Sequence, residues 1–98
     1  MGKSLYDNMK YLISVSEVGI NVVFNNAINA GASSSVAVSG YSPKGVVGWN
    51  QSTGAHVFLN RATIDANNTL TVGARRANND AISGTVGFNI RVLYIKNI

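Results

Sequence analysis

Few side chains in this sequence are equipped for acid–base, nucleophilic or metal chemistry. The carboxylates are Asp7, Glu17, Asp65 and Asp80, the one histidine is His56, and there is no cysteine. Glycoside cleavage needs two carboxyl groups within about 10 Å of each other. Asp65 and Asp80 belong to separate turns that the strand pairing set out below places at opposite ends of one strand, so they suit turn and cap roles instead. His56, with no second histidine and no thiolate, cannot complete a zinc site or a triad within one chain. Only a three-fold axis gathering three copies of it would hold a metal. Gly40, Gly45 and Gly48 are followed by Trp49 and Asn50, without the helix and the Lys-Ser or Lys-Thr of a phosphate loop. No catalytic residue, metal or cofactor is expected.

Trp49 is the only tryptophan, and two roles fit it. Pointing inward at the end of a strand, it fills the core. At a rim beside Asn50, Gln51, Ser52 and Thr53, it is an aromatic platform flanked by hydrogen-bonding groups, suited to gripping a sugar. Tyr41 and Lys44 at one turn, and the asparagines at later turns (Asn67, Asn68, Asn78, Asn79), carry the same pair of roles, turn former or ligand contact. The candidate ligand set is Tyr41, Lys44, Trp49, Asn50, Gln51, Asn67 and Asn68.

The net charge of +4 is modest, and its cations are scattered. Arg75 and Arg76 are adjacent and point to opposite faces of a strand, while Arg91 lies about 26 Å from Arg75 in the expected pairing. No aromatic pair alternates with them, so nucleic acid is not an expected partner. Only 12% of the residues are charged, and 13 asparagines, 10 serines and 10 glycines supply the polarity. With 46% apolar residues in regular alternation, that composition describes a folded, weakly charged β protein and excludes a disordered one. The 98 residues suit one core, and with no disulfides its stability must come from packing or assembly. Apolar runs of a few residues are far short of a membrane span, and the first residues lack a signal peptide's apolar core. Met1-Gly2 opens like a myristoylation site, but Tyr6 stands where that signal needs Ser or Thr. A soluble protein made in the cytoplasm, without membrane insertion, is expected.

The elements that must position these groups follow from periodicity. Residues 4–13 predict a short helix: Ser4 caps it, Asp7 lies in its first turn, and Leu5, Met9 and Leu12 share a face. Tyr11, Ile13 and Val15 also alternate as a strand would. Ten residues form only a marginal helix alone, so this segment must dock on its own sheet or on sister chains. From Val18 the period is two, with Val18, Ile20, Val22, Phe24 and Ile28 on one face. Residues 30–35 read as a small-residue loop, Val36 and Val38 as a second strand, and Ser42, Pro43, Lys44 and Gly45 as a β-turn with the only proline at its second position. Residues 46–49 form a third, short strand closed by 50–54. A bulge near Asn60 reconciles Val57 and Leu59 with Ala62 and Ile64.

Residues opposed in an antiparallel pair share a face, which sets Ile64 against Leu70 and Ala62 against Val72. Ala66, Asn67 and Asn68 are then a three-residue loop with Asn68 in the left-handed conformation. The same test pairs Arg76 with Ile82, Val72 with Val86 and Leu70 with Phe88, giving a three-strand meander with 77–81 as its second loop. The last strand turns Val86, Phe88, Ile90, Val92 and Tyr94 inward. Its outer face ends in Leu93 and Ile95, which need a cover. Some seven short strands predict a mainly β fold, an antiparallel β-sandwich of Greek-key or jelly-roll type with a short N-terminal helix. The division is an N-terminal helical assembly segment, 1–17, and a sandwich domain, 18–98.

The run Gly40-Tyr-Ser-Pro-Lys-Gly-Val-Val-Gly-Trp49, the hairpin-rich second half and the ending Val-Leu-Tyr-Ile-Lys96 resemble the small β-sandwich modules at the C-termini of phage tail and tail-fibre proteins. The resemblance covers residues 36–96 and includes no catalytic signature. It implies a non-enzymatic virion module made in the host cytoplasm, a homotrimer placed among other virion proteins, binding a host-surface glycan or receptor through its loops. Leu5, Met9, Leu12, Leu93 and Ile95 are the residues expected at the oligomer interface. Two alternatives stand beside it: a purely structural virion protein, such as a head-decoration or fibre component, and a free-standing lectin-like carbohydrate-binding domain.

Overall fold

The computed structural model describes residues 12–97, and its regular structure is six strands in two antiparallel three-stranded sheets. The first sheet has β6 (Ile82–Lys96) at its centre, flanked by β1 (Ile13–Ala27) and β3 (Tyr41–Thr53). The second has β5 (Thr69–Arg76) at its centre, flanked by β2 (Asn29–Ser35) and β4 (Val57–Ile64). The two central strands are those whose alternate residues are unbroken apolar series. Val86, Phe88, Ile90, Val92 and Tyr94 of β6 and Leu70, Val72 and Ala74 of β5 are all at most 3% exposed. They join Ile20, Val22 and Phe24 of β1, with Val36 and Val57, in one cluster drawn from both sheets. Each fully buried large aliphatic or aromatic side chain there contributes about 1.5–3 kcal/mol of transfer free energy.

The expected β4–β5 hairpin is present in its predicted register, Ile64 against Leu70 and Ala62 against Val72, with the register shift at Asn60. Asn68 has φ +57, and Asp65 closes the turn by accepting hydrogen bonds at Oδ1 from the N–H groups of Asn67 (2.9 Å) and Thr69 (3.0 Å). The meander beyond it is not formed. β5 pairs with β2 and β4, while β6 pairs with β1 and β3, so residues 77–81 carry the chain from one sheet to the other. Leu70, Val72, Val86 and Phe88 do share the core, but across it. A same-face test is satisfied by residues facing each other between sheets as well as by those paired within one.

Other expectations shift too. Residues 29–35 are strand β2 and not a loop: Ala30, Ala32 and Ser34 alternate inward, and Gly31 lets the strand approach β5, since a Cβ there would stand 3.0 Å from the Val72 carbonyl oxygen. Val36 and Val38 belong to the connection that follows; Val36 is buried and Val38 is exposed. The reversal lies at Ser39 and Gly40 (φ +83), where the Tyr41 N–H donates to the Val38 carbonyl at 3.0 Å. Pro43 is thus inside β3, tolerated because β3 is an edge strand, with Lys44 as the extra residue of a bulge. β3 continues to Thr53 instead of stopping at Trp49, and β1 begins at Ile13, ahead of Val18. The helix expected over 4–13 lies outside the described residues except at its end, where Leu12 is helical and Ile13 is already strand.

Candidate functional site

The two edge strands β3 and β4 lie on the same side of the molecule, and an open cleft of about 490 Å³ is lined by Trp49, Gln51, Ser52, Thr53, Gly54, His56 and Val57. Trp49 faces it because of a bulge. Val46 opposes Val92 and Trp49 opposes Ile90, so two residues three apart both take the inward side, with Val47 as the inserted residue between them. The indole meets Phe88 edge-on, with ring centroids 5.7 Å apart and planes at 73°, and keeps 37% of its surface exposed. Trp49 therefore seals the core with one edge and leaves the rest of its ring exposed in the cleft.

The wall opposite is the β3–β4 connection, and Gln51 builds it. Its Nε2 donates to the carbonyls of Thr53 (3.3 Å), Gly54 (3.1 Å) and Ala55, while Oε1 accepts from the Val57 N–H at 3.4 Å. Three carbonyls around one end and an N–H at the other fix the amide's orientation. Arg76 ties the connection to β5, donating from Nη1 to the His56 carbonyl (2.9 Å) and from Nε to the Asp80 carbonyl (3.2 Å). Gly54 has φ +101, and a Cβ on it would stand 2.9 Å from the Val86 Cα, so the loop packs directly on the β6 backbone. The Ser52 and Thr53 hydroxyls lie over Gly87, each 2.8 Å from where a Cβ there would be.

The groups this cleft offers a ligand are an aromatic surface, hydroxyls and the exposed His56 ring. Among the described residues no carboxylate lines it: Asp65 caps the β4–β5 turn, Asp80 sits in the 77–81 crossing, and Glu17 projects from the outer face of β1 opposite Arg91. Among the described residues no three His, Asp or Glu side chains are grouped to hold a metal ion, and no helix is long and apolar enough to cross a membrane.

Of the candidate ligand residues, the structure brings Trp49 and Gln51 together at this cleft, with Gln51 committed to the loop. Asn50 points to the other side of the sheet, where its Oδ1 accepts from Arg91 Nη1 at 3.1 Å above Gly48. Tyr41, Lys44, Asn67 and Asn68 lie toward the opposite end, near Tyr94 and Val36. There Tyr41, Ser14, Ser16, Val38 and Tyr94 line a smaller hollow of about 130 Å³. Tyr94 Oη donates to the Val36 carbonyl at 2.7 Å, and burial pushes its pKa above the usual tyrosine range.

Leu93 and Ile95 do lie on the outer face of the first sheet, Leu93 half-buried and Ile95 37% exposed. They adjoin two residues that sequence reasoning had assigned elsewhere, Val15 opposite Leu93 and Ile13 opposite Ile95. The alternation of Tyr11, Ile13 and Val15 was the signal for them. Leu12 is half-buried, and Leu5 and Met9 lie outside the described residues. His56 and Val57, expected as a lone histidine and a core valine, line the cleft because of a crossing between sheets that no local pattern marks. No protein-family model, no curated protein and no solved structure matches this chain.

Proposed function

We propose that this chain is a non-enzymatic antiparallel β-sandwich that binds a glycan in the Trp49 cleft, as a module of an oligomeric phage tail-fibre or baseplate appendage. The sandwich is supported by the cluster that the two sheets share. First pairs with last (β1 with β6) and second with next to last (β2 with β5), the nesting of a jelly roll. The observation that carries the binding role is the exposed part of Trp49, an aromatic face set beside hydroxyls and an imidazole in an open cleft. The virion setting rests on the resemblance of residues 36–96 alone.

Because Trp49 is the only tryptophan, intrinsic fluorescence reports on the cleft directly. Titration with polysaccharides from bacterial surfaces should shift or quench its emission saturably. On the same polysaccharide immobilised, Trp49→Ala should bind at least tenfold more weakly, about 1.4 kcal/mol, while its circular dichroism is kept. No retention on any glycan surface by the folded wild-type chain would sink the binding role. That outcome favours a structural virion component, a second reading supported by the apolar face of Ile13, Val15, Leu93 and Ile95.

A further inference from the structure

Among the described residues, two three-stranded sheets leave four edge strands, and three of them are blunted against pairing. β3 contains Pro43 and shifts register against β6 at three places; β4 is bulged at Asn60; β2 has only seven residues, all Asn, Ala, Gly or Ser. β1 differs from all three. Its ladder with β6 is unbroken from Ile13 to Phe24, it contains no proline, lysine or arginine, and its one charge is Glu17. It also presents Ile13, Val15 and Val23 at 56%, 54% and 63% exposure. A long, regular, weakly charged edge with exposed aliphatics is what isolated β proteins avoid.

We infer that β1 pairs antiparallel with β1 of a second copy, joining the two first sheets into one six-stranded sheet across a two-fold axis. The sequence of β1 is self-complementary for this. With Gly19 on the axis, residues 14–24 align along about 33 Å of strand. Val15 then opposes Val23 of the partner subunit and Glu17 opposes Asn21 of the partner subunit, on the outer face of the sheet. Sliding each strand so that Glu17 met its own equivalent would set like charges directly opposite, which disfavours that register. Once the two β1 edges are used, the edges left among the described residues are the blunted ones of β2, β3 and β4, so the assembly closes at two. A three-fold ring built by strand addition would instead need β1 to pair with one of those blunted strands. This interface is separate from the Trp49 cleft, which opens between β3 and β4 on the other side of the sheets.

The test uses sedimentation and a single introduced thiol, since the chain has no cysteine. Gly19 has room for a side chain, the nearest atom to its Cβ position being Asn89 Oδ1 at 4.0 Å. Gly19→Cys should form a disulfide-linked dimer under mild oxidation, because residues on the axis have Cα atoms within the ~4.4–6.8 Å that a disulfide spans. Ser33→Cys, exposed on β2 and away from the axis, should dimerise like wild type but form no disulfide link under the same conditions. Val23→Lys should weaken the dimer at least tenfold, as an edge lysine does. A wild-type chain that sediments as a monomer at about 100 µM, the concentration regime of a weak millimolar-to-micromolar association, overturns the inference. So does a dimer in which Gly19→Cys cross-links no faster than Ser33→Cys, or one indifferent to Val23→Lys.

Discussion

Gln51 separates a ligand contact from a structural latch, and replacing it discriminates the two. Its Nε2 carries two hydrogens and faces three carbonyls, of Thr53, Gly54 and Ala55, so two bonds are satisfied at a time; the 3.4 Å contact of Oε1 with the Val57 N–H adds little. At about 1 kcal/mol net per bond, and with water able to reach the exposed loop carbonyls after truncation, Gln51→Ala should cost about 1–2 kcal/mol. In a domain of this size that lowers Tm by roughly 5–10 °C. Gln51→Glu is the sharper variant. It keeps the shape but turns a donor into an anionic acceptor facing three carbonyl oxygens, so at pH 7 it should be less stable than Gln51→Ala. Those carbonyls raise the pKa of the introduced carboxyl in the folded state above its unfolded value, about 4.3. Its stability is therefore greatest below that value and lost as pH rises through the folded pKa, so between about pH 7 and pH 4 this variant should gain on wild type. Thermal melts followed by circular dichroism at both pH values read the effect. If Gln51→Ala melts with wild type and yet loses all glycan retention, the amide is a ligand contact and the latch assignment is wrong.

Two glycines with positive φ should respond unequally to alanine. A Cβ at Gly54 meets the backbone of Thr85 and Val86 at about 3 Å, so Gly54→Ala should cost roughly 2–4 kcal/mol, whereas Gly40 opens on empty space and Gly40→Ala should cost only about 1 kcal/mol of backbone strain; equal losses in denaturant unfolding would refute the packed loop. Tyr94→Phe should cost about 1–2 kcal/mol by orphaning the Val36 carbonyl. Because burial raises the Tyr94 pKa when folded, its contribution is whole below about pH 10 and lost as pH rises through the folded value, so urea unfolding of wild type should weaken at alkaline pH more steeply than that of Tyr94→Phe.

What was legible in the sequence was whatever a single strand or a tight turn decides locally. The inward series of β6, the Ile64–Leu70 register, the bulge at Asn60 and the left-handed Asn68 all depend on residues a few positions apart, and all are present. What was not legible was which strands share a sheet. Leu70 and Phe88 lie on facing surfaces of one core, and parity alone cannot separate that from a paired hairpin. Residues 29–35 hid for a different reason: Asn, Ala, Gly and Ser have low strand propensity, and the strand exists because β5 needs a close-packed neighbour, a tertiary demand that overrides the local one. The candidate ligand set was dispersed by the same cause, because turns adjacent in sequence went to opposite ends of the fold.

The cleft and the blunted edges have one physical origin. A bulge inserts a residue, reverses the inward parity beyond it and bends the strand. At Val47 that reversal turns Trp49 toward the core side of β3 instead of out to solvent, and at Ser52 a second shift precedes the crossing that Gln51 fastens. The bulge at Asn60 does the same to the facing strand, laying Asn60 Oδ1 over Gly73, 2.7 Å from where a Cβ there would stand. Irregular ladders thus blunt β3 and β4 against a further strand while leaving an open cleft between them, the one proposed to bind a glycan. β1, regular along its length, makes no such cleft and retains a pairing edge. The proposed ligand cleft and the proposed self-association edge thus lie on opposite sides of the two sheets, so occupancy of either would leave the other free.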